Sequence, residues 1–407
     1  MNPFSETPIV MQALPRWDGL YASTSLKVAQ ELSRNRIVFY VDHPFTWKDS
    51  FTAKYNRQLI YRKNLWKKGN LAHHPFEEYP NLINICPKPI PSINFLPEGA
   101  VYNQCRALNN NIVWAYIDKV LDQYGISEFI YINSFDPVYS QIRTDKDVVM
   151  RVYHCVDHTP GERYIARHGT IAEREFVRKA DFVVSTSKQI SKRLRKWNQK
   201  CYTVENAADF AFFVNNAEPI PEDIANIKHP RVVYVGNIGL RIDYLLLEVA
   251  AKKLPDFQFV FVGPVDEREF KGAELKKLPN VHFLGRRPYK EVPAYMNAGD
   301  ICMIPFECTE YTKHIYPLKI NEYLSLGKPV VTSQFADLSD FDDVILRYKD
   351  VDEFVQKVQQ GLAACTEEDT HKRKIFAAGN TWEKRIEQWK EILKAEEETV
   401  RWNIRND

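Results

Sequence analysis

Residues 304–333 read IPFECTEYTKHIYPLKINEYLSLGKPVVTS. An apolar run ends at Ile304, a polar loop of 11 residues follows from Glu307 to Pro317, and a helix-length segment then leads into the apolar run 329–332. Open parallel sheets bind ligands outside the carboxyl ends of their strands, where this loop falls. Lys319 and Glu322 stand three apart at the opening of the helix, so both project from one face beside backbone N–H groups without intrahelical partners. A cation, free donors and a carboxylate suit a nucleoside diphosphate. Lysine and helix N-terminus hold phosphate, and the carboxylate accepts from ribose hydroxyls. A charged first helical turn would be favourable without any ligand. The long loop after Pro305 tips the reading toward a ligand site.

Outward from this stretch the pattern is strand, helix, strand. Runs at 231–235, 258–263, 281–284, 301–304, 329–332 and 344–347 alternate with helix-length segments, and so do 9–12, 37–41, 82–85, 129–133, 148–153 and 182–185 in the first half. Amphipathic stretches at 19–33, 102–124 and 162–180 lie between the latter. Such alternation predicts α/β architecture, with parallel sheets covered by helices on both faces. At 407 residues the chain exceeds one ordinary core, which predicts two doubly wound domains. The interval 215–230, with Pro219, Pro221 and Pro230, reads as the linker between domains at 1–214 and 231–379. The segment 380–403 carries Trp382, Ile386, Trp389, Ile392 and Leu393 at helical spacing, and spacing alone leaves open which domain it joins.

With 55 basic and 53 acidic residues the net charge is +2, and global charge says little about partners. Seven scattered cysteines form no metal or redox motif, and no N-terminal signal or membrane-spanning run is present, which predicts a cytoplasmic protein. One segment departs from the balance. From Lys48 to Lys68 there are seven basic residues and one acid, with Tyr55, Tyr61, Leu65 and Trp66 interleaved. A solvated basic loop explains this as well as contact with an anionic membrane surface or lipid diphosphate through Lys54, Arg57, Arg62, Lys63, Trp66, Lys67 and Lys68.

Two more loops follow strands. Gly236-Asn237-Ile238-Gly239-Leu240-Arg241 lets backbone approach a phosphate, and Arg241 adds charge, although glycine after a strand is more often only a turn. His154-Cys155-Val156-Asp157-His158 places an Asp between two His, suited to a general base, with a turn-capping Asp before Pro160 as the plainer alternative. Asp340-Phe341-Asp342 lacks a dedicated ligand set, so no metal is expected.

VVYVGNIGLRID, FVFVGP, LPNVHFLGRRPYKEVPAYMNAGDICMIPF and PLKINEYLSLGKPVV, in this order, resemble the C-terminal donor domain of GT-B glycosyltransferases over most of 231–333. The similarity points to bacterial enzymes of cell-surface polysaccharide assembly, such as family four transferases and the xanthan glucuronosyltransferase. VYHCVDHTP, DFVVSTSKQISKRL and VENAADFAFF resemble that group more loosely, and Asn380 to Arg385 resembles the start of a terminal helix that crosses back to the N-terminal domain. The resemblance implies two Rossmann-like domains facing each other across a cleft and metal-independent transfer from a nucleotide-sugar, a UDP-sugar, to a glycan or lipid-linked acceptor. No further cofactor and no nucleic acid are implied. It gives Glu322 the ribose, Lys319 the diphosphate, Gly236 the close approach to phosphate and Asp157 the base, with Asn237, Arg241 and Tyr316 completing the donor site. Two positions depart from the family pattern: His314 stands where retaining members carry a first glutamate, and Ala207 where glycine is usual.

Two rival readings are a dinucleotide-dependent oxidoreductase or epimerase and a non-catalytic sugar-nucleotide binder. The first lacks a Gly-x-Gly-x-x-Gly after the opening strand of either half. The presence of Asp157 together with Lys319 and Glu322 disfavours the second.

Overall fold

The computed structural model describes residues 6–19, 23–52, 56–162 and 165–406. The chain forms two compact units, Met1–Val204 with Ile386–Asp407, and Glu205–Arg385.

The first unit is built on an eight-stranded sheet of β1 (Ile9–Ala13), β2 (Val38–Asp42), β3 (Ala72–His73), β4 (Leu82–Ile85), β5 (Glu128–Ser134), β6 (Asp147–Cys155), β7 (Phe182–Ser185) and β8 (Cys201–Thr203). Their order is β3-β4-β2-β1-β5-β6-β7-β8, and only β3 pairs antiparallel. The central strands are buried on both faces, which is why they read as continuous apolar runs and not as alternation. The order reverses between β1 and β5. Phe135, just beyond β5, has φ +58°, strained for a bulky side chain, and its N–H donates to His154 O at 2.9 Å.

The last helix, Trp382–Asn406, belongs to this unit from Ile386 onward. Trp389 and Leu393 are buried, and Glu396 accepts from Tyr202 Oη at 2.6 Å and Lys200 Nζ at 2.9 Å.

The second unit has six parallel strands, β9 (Arg231–Val235), β10 (Gln258–Val262), β11 (Val281–Gly285), β12 (Ile301–Ile304), β13 (Val330–Ser333) and β14 (Leu346–Tyr348), ordered β11-β10-β9-β12-β13-β14. Its order reverses between β9 and β12. The interval 215–230 packs inside this unit. Glu222–Ala225 form a helical turn, Ile224 is fully buried, and the Arg231 guanidinium donates to Ala225 O and Ile227 O at 2.8 and 2.7 Å.

The basic segment is not a loop. Asn56–Lys67 form a helix, and Arg62 is 1% exposed, bridging Asp18 at 2.7 Å and a second, very close carboxylate, Asp42. Trp66 is half-buried and donates its indole N–H to Cys86 O at 2.9 Å. These two candidates for a membrane or acceptor contact are therefore structural. Arg57, Lys63, Lys67 and Lys68 are exposed, and Lys54 lies outside the described residues. No helix among the described residues is long and apolar enough to cross a membrane.

Candidate active site

The turn after β9 and the loop after β12 meet at the point where the second sheet reverses. They are tied by backbone, with Asp243 N donating to Pro305 O and Glu307 N to Arg241 O, both at 2.8 Å. Gly236 has φ +155°, and a β-carbon there would stand 2.5 Å from Lys319 Cε and 3.0 Å from its Nζ. Only glycine lets this lysine lie across the turn. Behind it, Gly263 at the end of β10 has φ +147°, and a β-carbon on it would stand 1.9 Å from Gly236 O. Two glycines placed back to back thus bring the turn, the ammonium and the helix Leu318–Ser325 together. Pro317 precedes this helix and no side chain caps it, so first-turn N–H groups remain available.

Glu322 is 6% exposed and has no hydrogen-bond partner among the described residues. Burial raises its pKa, and the nearby Lys319 charge only partly offsets that. A buried carboxylate normally accepts hydrogen bonds, and one that does not is costly unless a ligand supplies the donors. Beside it lies Tyr289, which the sequence did not single out. Its ring stacks on Phe212 at 4.7 Å and 7°, yet 51% of it is exposed. Its hydroxyl is held above its usual pKa by burial first and by the Glu322 and Asp209 carboxylates second. The exposed ring of Tyr289 is a flat apolar ledge next to a hydrogen-bond acceptor.

The other expected donor-site residues divide. Asn237 is exposed on the turn. Arg241 lies 4.9 Å over the Tyr311 ring and donates to its hydroxyl, which fastens the turn to the loop. Tyr316 points into the core against Phe341 at 5.5 Å, and burial raises its pKa to about 12. Its hydroxyl accepts from Asn321 at 3.4 Å, so its place is structural. His314 is buried in a short 3₁₀ turn, with Nδ1 2.9 Å from Glu310 O.

In the first unit, Asp157 follows β6 and is half-buried, with Oδ1 accepting from the His158 backbone N–H at 2.8 Å. Its loop is pinned by Glu173, a fully buried carboxylate that accepts from Thr159 Oγ1 at 2.6 Å and pairs with Arg193 at 2.6 Å. His154 is withdrawn from chemistry. It sits 2.8 Å from Ser134 Oγ, edge-on to Trp389 at 5.0 Å, and burial pushes its pKa down to about 3.

A polar pair that the sequence did not reveal stands at the same end of this sheet. His43, after β2, has Nδ1 3.0 Å from Asp136 Oδ2, after β5. Asp136 is 1% exposed and also receives Gln12 Nε2 at 3.3 Å. A buried carboxylate favours the proton on Nδ1, which leaves Nε2 as an open acceptor. His43 is partly exposed, and Nε2 has no partner among the described residues. No short-range signal marks this pair.

Residues 229–364 match the family described as glycosyl transferases group 1. A Bacillus subtilis protein named "Putative teichuronic acid biosynthesis glycosyltransferase TuaH" is 32% identical over 174 residues, 41% of this chain and 44% of that protein, so the match spans less than half of the relative. Among solved structures, sucrose-phosphate synthase from Thermosynechococcus elongatus aligns with TM-score 0.65 at 15% identity, over 96% of this chain and 99% of that one. Anabaena HepE in complex with UDP-glucose aligns with TM-score 0.62 at 13% identity, over 96% and 100%. The fold is GT-B.

Proposed function

We propose that this chain, whose residues 229–364 match the family described as glycosyl transferases group 1, moves a sugar from a nucleoside diphosphate donor to a glycan or lipid-linked acceptor in cell-surface polysaccharide synthesis. The observation that carries the reading is Glu322, a buried carboxylate without a donor, one helical turn from a lysine laid across a glycine turn. Ribose hydroxyls supply the missing donors. Lys319 and the uncapped helix end meet the diphosphate, whose negative charge grows as it departs. The exposed ring of Tyr289 offers the base a stacking face. UDP is the nucleotide we propose, in line with the UDP-glucose held by HepE.

The acceptor falls to the first unit. In our reading Asp157 takes the proton of the acceptor hydroxyl, whose oxygen attacks the anomeric carbon. The bond from that carbon to the diphosphate oxygen breaks, and its electron pair leaves with the nucleotide. His43 Nε2, fixed by Asp136, holds a second acceptor hydroxyl. UDP is expected to raise the melting temperature and NAD to leave it unchanged; a shift with NAD alone would favour an oxidoreductase.

A further inference from the structure

The helix Ala100–Gln123 carries polar residues where its spacing calls for core: Tyr102, Arg106 and Asn109 share one inward face, and each is 5% exposed or less. Arg106 is fully used, donating to Val138 O at 2.7 Å, Pro137 O at 3.2 Å and Glu175 at 2.8 Å. Tyr102 is not. Its ring stacks on His168, in the first turn of the helix Ala166–Val177, at 3.9 Å and 17°. His168 is also 5% exposed, yet neither of its ring nitrogens, nor Tyr102 Oη, Asn109 Oδ1 or Ser92 Oγ, has a hydrogen-bond partner among the described residues. Buried polar atoms left without partners are rare because each is costly, so a group of them calls for partners from outside. Ser92 belongs to a segment that ties the two helices together, with Asn109 Nδ2 donating to Pro91 O at 3.0 Å and Arg167 to Asn94 O at 3.2 Å. Tyr139, on the 3₁₀ turn Pro137–Tyr139, links this group to the proposed acceptor site. Its ring lies 5.3 Å from that of His43, and Asn109, Tyr102 and Arg106 neighbour its hydroxyl.

We infer that Tyr102 and His168 form a subsite for an uncharged sugar unit of the acceptor, next to the unit that His43 holds, and that the segment 91–94 lifts to admit it. Sugar hydroxyls both donate and accept, which matches a tyrosine hydroxyl, an imidazole with two ring nitrogens, a serine hydroxyl and an amide oxygen. Charge selects the class. The guanidinium of Arg106 is spent, and the Tyr102 hydroxyl is pushed up to about 12 by burial, with Arg106 opposing and the Glu175 and Glu98 carboxylates adding to the rise. A uronate or phosphate would meet those carboxylates with Arg106 already paired, so a neutral ring fits and an acidic one does not. The bond from Arg167 to Asn94 O lies at the surface, and opening the segment there breaks little. The inference rests on the proposed transfer only for calling this sugar part of the acceptor, whereas the subsite itself is tested without donor or nucleotide.

The test is saturation-transfer NMR of the full chain with glucose, N-acetylglucosamine and glucuronate, each without nucleotide. The wild type is expected to give a saturable signal with at least one of the two neutral sugars and none with glucuronate. Y102F and H168F keep the stacked rings and remove only the unpartnered polar atoms, so each is expected to bind that sugar about five- to tenfold more weakly. Their melting temperatures are expected to stay level or rise, since neither change removes a hydrogen bond from the folded chain. No signal from either neutral sugar, variant binding equal to wild type, glucuronate binding as strong as that of the neutral sugars, or melting temperatures lowered by several degrees in both variants would each overturn the inference. UDP binding measured alongside keeps the two readings apart. Sugar binding without UDP binding counts against the proposed donor site alone, and UDP binding without sugar binding against this subsite alone.

Discussion

In the proposed donor site, Glu322 is expected to set the pH behaviour. Burial raises its pKa above the ordinary glutamate value of 4.5, so the folded protein keeps this proton to higher pH than the unfolded chain does. Stability contributed by the neutral carboxyl is complete below that ordinary value and is lost as pH rises through the raised one. Bound ribose favours the charged form, so UDP affinity is expected to rise with pH through the same window. Calorimetry in buffers of different ionisation heat should show a proton released on binding to wild type and not to E322Q; ionisation of UDP itself is common to both. At the acceptor side, D157N is expected to lose turnover by about 10² to 10⁴ with UDP binding intact. H43Q is expected to raise the acceptor KM more than it lowers kcat, and steady-state kinetics showing the reverse would move the proton to His43. Lys319, Glu322 and the Gly236 turn were legible because short spacing on one helix and one turn encodes them. His43 and Asp136 are 93 residues apart, and only the strand order β2-β1-β5 brings them together.

Turns and helices show where local reading stops. The strand runs were legible because both faces of a parallel sheet are buried, while the helix Asn56–Lys67 passed for a basic loop. Its inward anchor is a charge, and the partners of Arg62, Asp18 and Asp42, lie 44 and 20 residues away. The interval 215–230 looked open by composition, yet one buried isoleucine and the Arg231 guanidinium fasten it. The paired glycines give a prediction at this scale. G263A forces a β-carbon against Gly236 O in a left-handed backbone, so it is expected to cost about 1–3 kcal/mol or more in denaturant unfolding and to weaken UDP binding. G285A, also left-handed at φ +76° but with nothing within 4 Å, is expected to cost about 1 kcal/mol with UDP binding kept.

Across the whole chain, two doubly wound units share one plan, a sheet whose order reverses at its centre with candidate ligand groups on the loops beyond the strands. The doubling was legible from alternation alone. The return of the terminal helix from Ile386 to the first unit was not, because its helical spacing fits either sheet and the choice rests on Glu396 meeting Lys200 and Tyr202 nearly two hundred residues away. In the proposed function the second unit holds a nucleoside diphosphate against Glu322 and Lys319. Titration calorimetry of UDP into wild type and E322A measures this directly. The prediction is saturable binding to wild type and a loss of about 1.5–3 kcal/mol in E322A, roughly ten- to a hundredfold in Kd. Equal affinity in the two proteins, or no binding of UDP to the wild type, would contradict it.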